Sequence, residues 1–333
     1  MSAGVAAARA HSNIAFAKYW GKRDGAGNYP AVPSLSVTLE GLETLTRVAF
    51  RRDLASDRLN LDGEDADGIP LARVSILLDR VRAASGVALR AEVVSRNDFP
   101  TASGLASSAS GFAALSLAAA RAAGLEWDTQ RISDLARRSS ASAARSLFGG
   151  WVELAGGPEI THGTEVLAAQ PVAPALHAPW RVLVAIAGEA KKAIGSTDGM
   201  LKTARESPYY GAWLELAPPL HEALKSALLA RDLQRFGELA EESALAMHAS
   251  AIAAGVIYWS GVTIDLVAAV RQLRARGTLA FATMDAGPHV KVLVHESDAA
   301  LAGTWLRAVP GVLRVLDARP GPGARSMSPE ELS

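Results

Sequence analysis

The sequence predicts an α+β chain folded as two lobes, and three observations carry that expectation. Strand-like and helix-like segments come in runs rather than in strict β-α-β alternation. A composition break from Ala168 to Trp180, "AAQPVAPALHAPW", puts three prolines in mid-chain, as a linker between lobes would. Apolar residues make up 49 % of the 333 and are spread along the chain, enough to fill two cores. The expected boundaries are 1–175 for an N-terminal lobe, 176–318 for a C-terminal lobe and 319–333 for a loose tail, whose "ARPGPGARSMSPEELS" is dense in proline and glycine.

Taken in order, "LSVTLEG" near Ser36, "TLTRVAF" ending at Phe50 and "ALRAEVVSRND" from Ala88 alternate as strands with one buried face. Between the last two, "LARVSILLDRVRAASG" has helical spacing and a glycine stop at Gly86. Helices are expected over 108–123 and 129–138. Beyond the proline-rich break, "RVLVAIAG" reads as a buried strand. Helical patterns follow in "APPLHEALKSALLARDLQRFGELAEESALAMHASA" and "TIDLVAAVRQLRARG". "LAFATMDAGPHVKVLVHES" is a strand, a turn at Gly287-Pro288 and a second strand. No repeat at solenoid periods is present.

Composition narrows the function. A formal net charge of +0 with scattered arginines gives no footprint for nucleic acid. With no cysteine there can be no disulfide framework, thiolate metal site or cysteine nucleophile. Arg9 and His11 interrupt the alanine-rich start before a signal-length apolar core forms, and no window offers the roughly 18 apolar residues of a membrane span. A soluble, cytoplasmic protein with no membrane partner is expected. The seven histidines lack metal-ligand spacing, so no zinc or iron site is expected.

The chemistry centres on "NDFPTASGLASSASG", residues 97 to 111, at the head of an alanine-rich helix. A helix N-terminus exposes unpaired N–H groups and the positive end of the macrodipole, which together suit a phosphate. Gly104 removes bulk where an anion would approach, Pro100 stiffens the entry, and Ser107 and Ser108 add hydroxyls that could also meet magnesium. An isolated Gly-x-x-Ser-Ser would equally describe a well-capped, closely packed helix. The P-loop, the dinucleotide fingerprint and the serine-hydrolase elbow are all absent.

The longer string Pro-x-x-x-Gly-Leu-Ala-Ser-Ser-Ala, Pro100 to Ala109, resembles the phosphate loop of the GHMP kinase superfamily, and its surroundings resemble the diphosphomevalonate decarboxylase branch. "ARAHSNIAFAKYWGKRD" (8–24), "SSASAARSLFGGWVE" (139–153) and "TMDAGPHVKVLV" (283–294) resemble that branch's N-terminal signature, substrate-binding helix and catalytic-aspartate segment. "KKAIGSTDGM" and "AMHAS" are shorter matches in the same order. The resemblance covers most of residues 8 to 295. It implies the two-lobed GHMP kinase fold, with an N-terminal nucleotide-binding lobe, a ferredoxin-like C-terminal lobe and the active site in the cleft between them. The implied reaction is ATP-dependent decarboxylation of (R)-5-diphosphomevalonate to isopentenyl diphosphate, ADP, phosphate and carbon dioxide, on the mevalonate route to isoprenoids.

Such a reaction needs a carboxylate near a tertiary hydroxyl, a cation for the substrate carboxylate, diphosphate anchors and an ATP cradle with magnesium. By resemblance Asp285 orients and deprotonates the C3 hydroxyl, Arg145 clamps the carboxylate through its planar fork, and Lys18 stabilises developing charge and keeps Asp285 ionised. On residues alone, "DAGP" could equally cap a turn. Ser142 and Arg145, three apart, share a helix face. Tyr19 and Lys22 are implied at the diphosphate, Ser140 and Ser142 at substrate phosphate or carboxylate, and Asn13, Ser196 and Met200 at other substrate contacts. Asn97, Pro100, Gly104, Leu105, Ala106, Ser107 and Ser108 are implied at ATP, with Ser108 also at magnesium. Trp20 is read as packing, and Arg137 and Arg138 as exposed helix charges. A homodimer is the implied assembly.

Three positions depart from the family pattern. Ala141 stands where glycine usually separates the two serines, and its methyl could crowd a phosphate or merely stiffen the helix. Thr197 stands where many bacterial relatives carry arginine, leaving less charge for a diphosphate. His289 stands where asparagine is usual and is expected to be a polar support rather than a general base. Competing readings are a phosphomevalonate decarboxylase, a mevalonate 3-kinase, whose relatives lack the aspartate, and a silent ligand-binding protein, which should have lost Asp285, Lys18 or Ser108.

Overall fold

The computed structural model describes residues 4–23, 27–98, 107–160, 166–188 and 193–332. The first lobe begins with two long strands, β1 (Val5–Ala17) and β2 (Ser34–Arg51), then β3 (Arg58–Leu61), β4 (Glu64–Asp65), α1 (Gly68–Ser85) and β5 (Arg90–Asn97). Helices α2 (Ser107–Ala122) and α3 (Thr129–Ser139), a 3-10 turn (Ala141–Leu147), β6 (Trp151–Leu154) and β7 (Gln170–Ala173) complete it. The second lobe runs β8 (Trp180–Ile186), α4 (Ser196–Glu206), α5 (Tyr210–Leu229), α6 (Leu233–Ala253), α7 (Gly261–Ala275), β9 (Ala280–Met284), β10 (Val290–His295), α8 (Ala299–Arg307) and β11 (Arg314–Pro320). A short strand, β12 (Arg325–Met327), returns to the first lobe.

The two runs expected around Ser36 and Phe50 are one 18-residue strand. Its middle is irregular: Gly41 takes φ +84°, and the register against β1 slips so that His11 faces Glu43 while Asn13 faces Thr38. A bulge of this kind frees a stretch of backbone for another partner. Leu39 and Glu40 pair with Pro320 and Arg319 of β11, and β11 continues onto β8, β10 and β9. One sheet therefore runs through both lobes, in the order β4-β3-β5-β2-β11-β8-β10-β9.

Packing follows residue size. Ala113, Ala114, Ala118, Ala119 and Ala120 of α2 are fully buried, and their small side chains let the helix lie close over β1 and β2. Where the lobes meet, Phe16, Trp151, Trp180 and Phe236 form a cluster with centroid separations of 5.2–5.7 Å, a geometry favourable beyond its burial. Leu183, Val290, Val292 and Val294 face α7 and α8 in a separate core.

The tail is not loose. Gly321 N–H donates to the Thr38 carbonyl at 2.8 Å, its own carbonyl accepts from Gly150 N–H at 2.9 Å, and β12 pairs with Ala7–Arg9 of β1. At Gly323 an added Cβ would sit 2.6 Å from the Leu147 carbonyl oxygen and 2.8 Å from the Gly149 nitrogen. Glycine, which reads as looseness in sequence, here permits backbone to approach backbone.

Candidate active site

The turn between β9 and β10 presents Asp285 to residues arriving on β1. Gly287 N–H closes the turn onto the Asp285 carbonyl at 2.7 Å, and Thr263, in the first turn of α7, donates its hydroxyl to Pro288 O at 2.7 Å. Lys18 follows directly from β1, with its N–H held by Ser243 Oγ of α6 at 3.0 Å. Its Nζ donates to Asp285 Oδ1 at 2.7 Å, across 267 positions of sequence. Lys291, on β10, places a second ammonium 3.1 Å from Oδ2. Burial acts to raise the Asp285 pKa, and the charges of Lys18 and Lys291 outweigh it, holding the carboxyl well below its usual range. Burial pulls Lys18 down to about 8 despite the opposing pull of Asp285.

Arg145 is 2 % exposed and projects from the 3-10 turn, where three residues per turn align i and i+3. It donates to Ser36 Oγ at 2.9 Å, Ser34 Oγ at 2.7 Å and Asn13 Oδ1 at 3.3 Å. Among the described residues it has no carboxylate at ion-pair distance. A guanidinium has five N–H donors, so the fork retains donors for an anion. Burial lowers it to about 10, which leaves it charged at neutral pH. Asn13 gives both amide hydrogens to the same turn, to Ser142 O at 2.9 Å and Ser146 Oγ at 2.7 Å. Its side chain thus braces the Arg145 turn. Ser140 and Ser142 lie Oγ to Oγ at 3.1 Å. The Ala141 methyl is directed into a core with Ala144, Val152, Leu154 and Ala169, so it does not crowd the serines.

Tyr19 has a buried hydroxyl with no hydrogen-bond partner among the described residues, and burial pushes its phenol above the usual range. Lys22 donates to Asn28 Oδ1 at 2.6 Å and Thr197 Oγ1 at 3.0 Å. Burial, then the charge of Arg73, brings Lys22 down to about 8. Thr197 is therefore an acceptor for Lys22, and Arg73 of α1 adds charge on that side. Gly21, at φ +111°, has no room for a Cβ beside Tyr210 Oη, 2.3 Å away. Ser196 opens α4; Met200 is 4 % exposed in a core with Trp20, Trp213 and Met247, so it offers little surface to a ligand.

At the nucleotide end, Pro100, Gly104, Leu105 and Ala106 lie outside the described residues, as do Lys191 and Lys192 of the shorter match. Asn97 ends β5 with its Oδ1 accepting from Thr44 Oγ1 at 2.6 Å and its N–H donating to Asp62 Oδ1 at 2.7 Å. Thr44 also contacts Ser110 Oγ of α2 at 2.7 Å, so one network ties the strand to the helix. Ser107 begins α2, Ser108 is exposed beside it, and no acidic residue occupies that first turn. A positive helix end with a hydroxyl and no competing carboxylate suits phosphate. Among the described residues no group of three His, Asp or Glu could hold a metal ion.

Sequence reasoning missed Lys291 and misread Arg137. "VKVLV" carried the signal for the first: a lysine inside an unbroken apolar strand must find a counter-charge. Arg137 is fully buried rather than exposed. Asp134 Oδ1 accepts from it at 2.7 Å, the Gly27 and Leu167 carbonyls accept too, and its guanidinium stacks on Tyr29. Its face of α3 points inward because an acid sits three positions earlier on that face. Arg138 stays at the edge, paired with Asp134 Oδ2 at 2.9 Å. Trp20 is packing, 2 % exposed. His289 is buried, with Nδ1 accepting from Ala187 N–H at 3.2 Å, and burial takes it to about 3, so it is a neutral support.

Two family models match the chain. A diphosphomevalonate decarboxylase-like N-terminal domain matches residues 10–166, and a mevalonate 5-diphosphate decarboxylase C-terminal domain matches residues 182–313. The chain is 34 % identical to the diphosphomevalonate decarboxylase of Schizosaccharomyces pombe, over 89 % of this chain and 80 % of that protein. It is similar in structure to mevalonate diphosphate decarboxylase from Staphylococcus aureus, with TM-score 0.92, 34 % identity and 98 % of each chain covered. A complex of "MDDEF" with MVAPP, AMPPCP and magnesium superposes with TM-score 0.90 at 36 % identity, covering 97 % of this chain and 98 % of that one. Among the described residues no helix is long and apolar enough to cross a membrane. With both halves matched in order and at least 80 % of each quoted relative covered, the chain belongs to the diphosphomevalonate decarboxylase family.

Proposed function

We propose that this chain performs ATP-dependent decarboxylation of (R)-5-diphosphomevalonate with Asp285, Lys18 and Arg145 as its catalytic residues. A tertiary hydroxyl is a poor leaving group, and phosphorylation converts it into a good one. The C3 oxygen attacks the γ-phosphorus while its proton passes to the Asp285 carboxylate, and ADP departs. Phosphate then leaves with the C–O electron pair, and the C–C bond to the carboxylate supplies the electrons of the alkene as carbon dioxide is lost. Lys18 offsets charge at the transferring group, and the Arg145 fork holds the substrate carboxylate until it is expelled.

Tyr19, its hydroxyl unpartnered among the described residues, and Lys22, with Arg73 nearby, anchor the diphosphate. Ser140, Ser142 and Ser196 border the same substrate, Met200 packs in the core behind Ser196, and Asn13 steadies Arg145. Asn97, Pro100, Gly104, Leu105, Ala106, Ser107 and Ser108 form the ATP cradle. Magnesium, when bound, screens the phosphate charges, and Ser108 Oγ is the oxygen this chain offers it. A homodimer acting in the cytoplasm completes the reading.

The observation that carries it is the ion pair from Lys18 to Asp285, which joins the two lobes at one carboxylate. The test supplies mevalonate, its 5-phosphate and its 5-diphosphate separately and measures ADP and carbon dioxide together. Equal release of both, from the 5-diphosphate above all, is expected; ADP without carbon dioxide overturns the assignment. Asp285→Asn should bind both substrates nearly normally and lose about 10²–10⁴-fold in kcat.

A further inference from the structure

The Asp285 carboxylate has two faces, and only one belongs to the cleft. Oδ2 is buried, whereas the side chain as a whole keeps 23 % of its surface open, so Oδ1 and its lone pairs form the accessible edge. Lys18 grips Oδ1 from β1. Behind the carboxylate, Lys291 is fully buried, and its ammonium lies against Oδ2 at 3.1 Å as its one ion-pair contact among the described residues. Lys291 and Leu293 point to the face of β10 opposite Val290, Val292 and Val294; the adjoining residues 290 and 292–294 are apolar, and Thr283 lies across from Lys291 on β9.

For stability alone this is a poor choice. A buried ammonium loses its hydration, and an aliphatic side chain would suit the strand better. Asp285 already has a cation in Lys18. A local rule broken beside a reacting group, with no gain in packing, points to a use at that group.

We propose that Lys291 is a positioning residue for the reaction: it fixes the inner oxygen of Asp285 so that the outer oxygen meets the substrate hydroxyl, and its charge presses on Lys18 through the shared carboxylate. The inference rests on Asp285 acting as described above. The contact at Oδ2 is an ion pair rather than an aligned hydrogen bond, and with a charge at each oxygen, rotation about the Cβ–Cγ bond toward Lys18 alone is disfavoured, so one oxygen edge stays turned to the cleft. The other charged or titratable groups around the pair are Arg145 from the 3-10 turn, His248 from α6 and His289 from the β10 turn. Burial takes both histidines to about 3, so neither changes charge in the working range, and Arg145 stays charged. Lys18, held near 8, is the group that Lys291 can move. Two ammoniums on one carboxylate repel, and removing one lets the other hold its proton to higher pH.

The test uses Lys291→Met in the full-length enzyme. The chain has only seven lysines, so the Lys18 ammonium can be followed through a pH titration by 15N NMR. Lys18 should titrate about one pH unit higher than in the wild type, and kcat should fall about 10- to 100-fold with little change in either KM. A fall in kcat with Lys18 titrating as in the wild type would mean general damage and overturns the inference, as does unchanged kcat. If Lys291→Met does not fold, Lys291→Gln removes the same charge and is read against the same outcomes. Asp285→Asn separates the two levels: if it turns over like the wild type, the catalytic reading itself fails, whereas its loss of activity beside a wild-type-like Lys291→Met defeats this inference alone.

Discussion

A guanidinium taken out of water needs an anion to offset its desolvation, and among the described residues the groups that accept from Arg145, Ser34, Ser36 and Asn13, are neutral. On the proposed function, the missing charge is the substrate carboxylate's. Arg145→Ala should therefore lower kcat/KM for 5-diphosphomevalonate by about 100-fold or more while leaving the KM for ATP within a few-fold, measured by coupled release of ADP. Arg145→Lys should recover little, because a point charge cannot make the two parallel bonds. The motifs around Lys18, Arg145 and Asp285 were legible in sequence because each is a local string. Their convergence is a matter of tertiary structure, which only the family resemblance could supply. Lys291 had a weaker signal of its own, and Arg137 only the acid three positions earlier at Asp134, since the Gly27 carbonyl that also receives it arrives from elsewhere in the chain.

Among the elements, the 3-10 turn Ala141–Leu147 bears the most consequence for chemistry, and the end of the chain holds it in place. Gly323 fits against the backbone of Leu147, Phe148 and Gly149 with no room for a side chain. Gly323→Ala should cost about 1–3 kcal/mol, seen as a lower urea midpoint at unchanged slope. It should also raise the KM for 5-diphosphomevalonate more than that for ATP, as the Arg145 turn shifts. Helices such as α1, with its αL stop at Gly86, were legible from periodicity and caps. Two features were not. Proline and glycine near the end concealed a paired strand, because turn chemistry and close backbone approach use the same residues. The union of two runs into β2 was hidden by Gly41, which reads as a break in sequence and is a bulge in the sheet.

At the scale of the molecule, β2 bonds to β1, β5 and β6 and also to β11, while Phe16 and Trp151 pack on Trp180 and Phe236. Lobes joined by a common strand and a common aromatic core should melt together. Calorimetry should show one endotherm, and two resolved peaks would contradict the shared core. The same unity gives the buried charges a wider reach. Among the described residues, Lys18 and Lys291 share Asp285 as their ion-paired acid, and Arg145 has none. The resting enzyme thus keeps a surplus of positive charge sealed inside, and the molecule that relieves it is the one it consumes. Durability and metabolic supply become linked: when the precursor runs short, the catalyst itself becomes easier to unfold and to degrade.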